Sequence, residues 1–175
     1  KRLEAKGRGR EYNPKFVCSQ PGKHPRGDQV PHGVSDATTD PATIRRWWKR
    51  YPAANVGIAC GASGLLALDA DYYKDNFAGD LSAFDLDTVT SLTGGNGTHL
   101  LYRMPEGATY GNSTGDLPAG IDIRGVGGFI VAAPSLHSSG NRYQWESAPD
   151  EVEVAPMPAA LRARLDVTAR PVGKQ

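Results

Sequence analysis

Ile44, Trp47, Trp48 and Tyr51 recur at i, i+3, i+4 and i+7, the spacing of one apolar helix face. Asp40 suits the N-cap, Pro41 the first helical position, and Thr43 the first turn, while Pro52 ends the helix. Arg45, Arg46, Lys49 and Arg50 fall mostly on the opposite side, as a solvated or a phosphate-tracking face, and the pattern favours the core over base-stacking for both tryptophans. Before this helix, the Pro- and Gly-rich stretch from Phe16 to Asp36 reads as loop. After it come two short apolar runs, Asn55 to Cys60 and Gly64 to Leu68, separated by Gly61-Ala62-Ser63. They predict a hairpin of two buried strands. Residues 72–88 scatter Asp75, Asp80, Asp85 and Asp87 among Phe77, Leu81, Phe84 and Leu86, which suggests a loop with a short helix.

Val89 to Ser91 and His99 to Arg103 read as strands around a glycine loop, Thr93-Gly94-Gly95-Asn96-Gly97-Thr98. Ile121-Asp122-Ile123-Arg124-Gly125 alternates apolar and charged residues as a half-exposed strand does. A turn at Gly127-Gly128 leads into a strand from Phe129 to Ala133, and Tyr143-Gln144-Trp145 reads as one more. A Pro-rich connector then precedes a short helix, Ala159 to Leu165. No internal repeat is present.

Composition narrows the class only a little. The chain of 175 residues is 39% apolar, enough for a core without disulfides. Its formal net charge of +1 excludes a globally basic nucleic-acid binder, but a basic groove beside an acidic site cancels in such a sum. Cys18 and Cys60 form no CxxC pair, so no structural zinc is expected, and two free thiols are the simpler reading beside a lone disulfide. No apolar stretch approaches the ~20 residues of a membrane helix, and the expected location is cytoplasmic. The chain begins at Lys1 with no signal peptide, as an excised piece of a longer polypeptide would. Residues 1–15 read as a flexible basic lead-in, 16–166 as the domain proper, and 167–175 as a linker toward a further region.

The sharpest chemistry lies at Asp69 and Asp71, which end the apolar run Leu65-Leu66-Ala67-Leu68. Side chains two apart on a strand share a face, so both carboxylates converge. Their repulsion is costly near apolar residues unless a cation neutralises it, and hard oxygen ligands suit Mg²⁺ or Mn²⁺. A bare DxD is a weak motif, equally compatible with a strand-end turn. Asp122 offers a third carboxylate, as a two-metal site requires, although an Asp122–Arg124 surface pair explains it as well. His99 opens a strand after a loop whose backbone amides are free to approach phosphate.

These motifs, in this order, resemble the bifunctional primase-polymerase domain of plasmid and phage replication proteins, within the archaeo-eukaryotic primase superfamily. The similarity runs from about Pro21 to about Trp145. It takes in Gly22-Lys23-His24-Pro25, Asp36-Ala37-Thr38-Thr39-Asp40-Pro41, Trp47-Trp48 and Asn55-Val56-Gly57-Ile58. Leu68-Asp69-Ala70-Asp71 is similar to the superfamily's first motif, Gly94 to His99 to its second, and Gly120-Ile121-Asp122-Ile123-Arg124-Gly125 to its third. Ala133-Pro134-Ser135 and Gly140-Asn141-Arg142-Tyr143 follow in place. The chain departs from members with a zinc stem, whose extra Cys and His ligands it lacks, and Ala133 stands where many relatives have proline.

The resemblance implies an α+β archaeo-eukaryotic primase fold, with an RRM-like catalytic sheet and a smaller N-terminal α/β lobe. It implies template-directed nucleotidyl transfer from NTPs or dNTPs onto a 3′-hydroxyl, with single-stranded DNA template and primer as partners. Asp69, Asp71 and Asp122 are expected to hold two Mg²⁺ or Mn²⁺ ions. His99, Arg124, Thr98 and Gly97 are expected at the nucleotide, and Lys23, Arg45, Arg46 and Lys49 are candidates for DNA or phosphate contacts. A helicase region is expected to follow in the full-length protein, in a bacterial or phage-infected cell. The rival enzyme is a nucleotide-sugar glycosyltransferase, which explains DxD but not His99 or Asp122. A haloacid-dehalogenase-like phosphatase would want Thr or Val where Tyr73 stands. A non-catalytic origin- or ssDNA-binding domain is the rival from another class, whereas a nicking initiator lacks its H-x-H pair.

Overall fold

The computed structural model describes residues 18, 20–74, 77–78, 81–82, 84, 87–114 and 117–168. The lead-in at 1–15 and most of the 167–175 linker lie outside the described residues, as do Asp75, Asp80 and Asp85. The fold is α+β. Helix α1, Pro41–Arg50, begins where the sequence places it: the Asp40 side chain accepts from the amides of Ala42 and Thr43, with Pro41 just inside. Strands β1 (Val56–Ala59), β2 (Leu65–Ala70), β3 (Thr90–Leu92), β4 (Thr98–Arg103), β5 (Ser113–Thr114), β6 (Ile121–Arg124), β7 (Phe129–Ala132), β8 (Gln144–Ser147) and β9 (Ala155–Pro156) follow. Helix α2, Ala159–Thr168, closes the chain of elements.

The main sheet runs β5-β6-β2-β4-β3-β8, with β9 added parallel to β4 and every other pair antiparallel. Strand β2 is central, which is why Leu66, Ala67 and Leu68 are all buried although they point to alternating faces. One face carries Leu66, Leu68, Ala70, Leu100, Tyr102, Ile121 and Ile123 against Met157, Leu161 and Leu165, the last two a turn apart on α2. The other face carries Ala67 and Leu101 against Cys60 and Ile130. Asp69, His99, Asp122 and Arg124 lie on this second face, beyond the end of its apolar cover.

The expected hairpin of the two apolar runs does not form. Strand β1 pairs with β7 in a separate two-stranded sheet, in the register Val56↔Ala132 to Ala59↔Phe129. Gly61–Ser63 winds into a 3-10 turn ending at Gly64, whose φ of 65° is left-handed, so the chain leaves one sheet and enters the other. Gly61 is held against Val126: an added Cβ would stand 2.6 Å from the Val126 Cα. The tryptophans also depart from expectation. Neither Trp47 nor Trp48 is fully buried, because α1 faces a cavity over β1 and β7 rather than a sheet core. The described residues of 72–88 form turns and no helix. Cys18 and Cys60 are free thiols, and burial pushes the Cys60 thiol up to about 11.

A candidate metal and nucleotide site

Antiparallel register assembles the site. Asp69 on β2 lies directly opposite Asp122 on β6 and directly opposite His99 on β4, so the three form a row across three strands. Residues paired across strands share a face, and the alternation along β2 adds Asp71 to the same face. The Asp71 amide donates to the Gly120 carbonyl at 2.8 Å, which ties the end of β2 to the start of β6. One carboxylate oxygen from each of Asp69, Asp71 and Asp122 lies within 4.8 Å of the others.

Two cations stand among these acids. One guanidinium nitrogen of Arg124 lies 3.3 Å from an oxygen of Asp69 and 3.3 Å from one of Asp122. The Lys74 ammonium lies 2.9 Å from Asp71 and 3.7 Å from Asp122. Three carboxylates against two cations leave the cluster one negative charge in excess, aside from His99. Burial pushes the Asp69 carboxyl up, but the hydrogen bond and charge of His99, with Arg124, outweigh it and hold it below the ordinary carboxylate range. The hydrogen bond to Asp71 raises the Lys74 ammonium above its usual value.

That shift fixes a sign. A carboxylate with a lowered folded-state pKa contributes stability that is complete above its unfolded value, about 3.9, and is lost as pH falls through the lower folded value. The acid side of the stability curve is therefore expected to flatten in Asp69→Asn. Urea denaturation from pH 7 down to pH 3 checks this, and parallel curves for the two proteins would contradict it.

His99 is buried, its Nε2 3.4 Å from an Asp69 oxygen and its Nδ1 without a hydrogen bond. Ser91, opposite His99 on β3, likewise has a buried hydroxyl with no partner. The ring of Tyr143 stacks on His99 at 6.0 Å between centroids. Its phenol is pushed up to about 12, by burial first and then by the charges of Asp69 and Asp71. His137 sits edge-on to Tyr143 and against the glycine loop, where a Cβ on Gly95 would stand 3.1 Å from the imidazole. Burial and the charge of Lys23 lower its pKa.

Gly97 packs into the acids themselves. A Cβ there would lie 2.6 Å from the Ala70 carbonyl oxygen and 3.3 Å from an Asp71 carboxylate oxygen. Its amide donates to Thr93 Oγ1 at 2.9 Å, so that N–H is engaged within the loop. Thr98 is buried on the opposite face, in register with Ala70 and Leu92. The structure thus brings Asp69, Asp71, Asp122, His99, Arg124 and Gly97 together and turns the Thr98 side chain away. Lys23, Arg45, Arg46 and Lys49 lie apart from the acids, on the 22–34 loop and α1. Lys74, Ser91 and His137 were not singled out from sequence. Lys74 follows the DxD in a turn, where a lysine carries no pattern, and the other two are placed by strand register and loop packing.

The donor set fits a hard divalent cation: three carboxylate oxygens, no sulfur, and a neighbouring imidazole. The glycine at 97 keeps side-chain bulk from the acids. Among known proteins, the family described as bifunctional DNA primase/polymerase, N-terminal, matches residues 10–160. No curated protein matches the chain.

Proposed function

The chain belongs to the bifunctional DNA primase/polymerase N-terminal family, and on that premise we propose that it extends a 3′-hydroxyl by template-directed nucleotidyl transfer from NTPs or dNTPs, with residues 16–166 as the catalytic unit. The observation that carries this reading is the row Asp122–Asp69–His99, with Asp71 on the same face. Asp69, Asp71 and Asp122 hold the divalent cations, two Mg²⁺ or Mn²⁺. When bound, these supply acidification of the attacking hydroxyl and charge neutralisation at the triphosphate. Arg124, 31% exposed at its side chain, is free to turn from the acids to phosphate oxygens. His99 is held by Asp69 on one side and Tyr143 on the other, which fixes its ring for a phosphate contact. The six-stranded run with β2 at its heart supports an RRM-like description of the catalytic sheet, with α1 and β1–β7 as the smaller lobe. Single-stranded DNA template and primer are the partners, and a helicase region follows in the full-length protein.

Lys74 has a separate part in this account. Its ammonium lies against two of the proposed ligands, so a cation must displace it. Lys74→Gln is expected to lower the half-saturating Mn²⁺ concentration by about threefold, the scale of one partly exposed ion pair. Calorimetric titration without nucleotide reads this directly, and unchanged or weaker Mn²⁺ binding would contradict it.

The function itself is tested with a single-stranded template, primed and unprimed, both nucleotide types, and Mg²⁺ or Mn²⁺ in turn. Incorporation that follows the template sequence is expected. Template binding without incorporation under every condition would leave the non-catalytic alternative, and transfer from a nucleotide-sugar would leave the glycosyltransferase.

A further inference from the structure

Away from the acids, α1 and the 22–34 loop enclose a cavity of about 170 Å³ over the two-stranded sheet. Gly57, Ala59, Phe129 and Val131 form its floor, on the face of β1 and β7 that points away from Ile58 and Ile130. Trp47, Trp48 and Tyr51 line it from α1. Trp48 is fixed by its indole N–H, which donates to the Ala54 carbonyl at 3.1 Å. Gly57 keeps the floor clear, since a Cβ there would touch the Phe129 ring at 3.4 Å. Apolar cavities of about 150 Å³ accept a single aromatic ring, so this one has the size and lining for one planar heterocycle.

Its rim is cationic. Lys23 and Arg26 line it, with the Arg26 guanidinium over the Tyr51 ring at 3.6 Å. The Arg26 Nε is buried without a hydrogen bond, with an Asp28 oxygen 3.5 Å away. Asp28 also receives the Tyr51 hydroxyl and is the sole acid among the described residues with an ion pair to this rim. Arg45, Arg46, Lys49 and Arg50 are exposed along α1 but fall mostly on the side away from the cavity, and Arg50 pairs with Asp28 at 4.0 Å. An aromatic slot with Lys23 and Arg26 at its rim matches the chemistry of a single nucleic-acid strand, one base stacked and its phosphates met by the cations. Charge argues against residues 1–17 as the occupant, since that segment holds six basic and two acidic residues.

The edge of the cavity is tied to the segment that precedes His137. Asn55 at its edge donates to the Gly22 carbonyl at 3.1 Å and to the Leu136 carbonyl at 2.8 Å. The next residue, His137, lies in the field of Lys23 and against Gly94 and Gly95 of the glycine loop. Lys23 at the cavity rim and the glycine loop thus flank the same residue, His137.

We propose that the cavity between α1 and the β1–β7 sheet stacks one unpaired base of the single-stranded template, with Lys23 and Arg26 at its rim holding the adjoining phosphates. The proposal rests on the polymerase reading for the identity of the strand, but its test needs neither metal nor chemistry. The chain is titrated with a short oligo(dT) in EDTA, without nucleoside triphosphate, and tryptophan fluorescence is followed. Saturable quenching is expected, with binding about tenfold weaker in Trp47→Ala and near wild type in Trp47→Phe, since stacking one base on an aromatic contributes about 1–3 kcal/mol. An abasic oligomer of equal length is expected to bind wild type at least fivefold more weakly than oligo(dT), a comparison that holds even if Trp47→Ala fails to fold. Equal affinity for the abasic strand, no binding in EDTA, or dTMP binding as tightly as the oligomer would each overturn the proposal. With no metal and no nucleoside triphosphate present, the titration reads binding apart from incorporation. A failure of the catalytic reading therefore leaves the binding result standing, and the reverse also holds.

Discussion

Asp69→Ala and Asp122→Ala are each expected to lower nucleotide incorporation by about 10³-fold or more, some 4 kcal/mol of transition-state stabilisation. The two acids face each other across β2 and β6 and share Arg124. Removing either leaves two of three metal ligands and redirects the Arg124 guanidinium onto the survivor. Folding should change less, because Arg124 keeps one carboxylate partner in either variant. Thermal melting alongside steady-state primer extension separates the two effects. Wild-type synthesis in either variant would remove that carboxylate from the mechanism. A large loss of melting temperature would make the defect one of folding.

Gly97→Ala is expected to cost at least 10²-fold in turnover and about 1–3 kcal/mol in stability. The added methyl group would stand 2.6 Å from a backbone oxygen of β2 and 3.3 Å from the Asp71 carboxylate. The first is backbone of β2, and the second ends a side chain that Lys74 holds at 2.9 Å, so the strain moves the end of β2 and the acid with it. Gly95→Ala is the control in the same loop. There the nearest atoms to the methyl group would be those of the His137 ring, at 3.1 Å and away from the acids, and about tenfold or less is expected. Urea denaturation and turnover measured on both variants check the pair. Equal effects, or a harmless Gly97→Ala, would contradict the placement of the loop over the acids.

The parts of the site legible in sequence are those that local periodicity carries. Alternation along Leu65 to Asp71 was enough to set Asp69 and Asp71 on one face, and the Ile121-Asp122-Ile123-Arg124 pattern set Asp122 with Arg124. What placed Asp122 and His99 on either side of Asp69 is register between strands distant in the chain, and only the family resemblance anticipated it. The hairpin failed for the same reason. Two apolar runs around a three-residue link read locally as partners, yet β1 found its complement about seventy residues on, in β7. The helix at Ile44 to Tyr51 was legible to its cap, but periodicity says that a face is covered and not by what. Here the face borders a cavity, and Trp47 and Trp48 remain half-buried. Thr98 adjoins His99 in sequence, and the pleat that turns His99 toward the acids turns Thr98 away.

The central claim is that Asp69, Asp71 and Asp122 hold the ions that the reaction uses, beside His99. Crystals soaked in Mn²⁺ with a non-hydrolysable dNTP test it most directly, by anomalous scattering. Two Mn²⁺ peaks bounded by the three carboxylates are expected, with Lys74 and Arg124 released from them and the triphosphate next to His99 and Arg124. Mn²⁺ peaks elsewhere, or acids still paired to Lys74 and Arg124 with nucleotide bound, would contradict it.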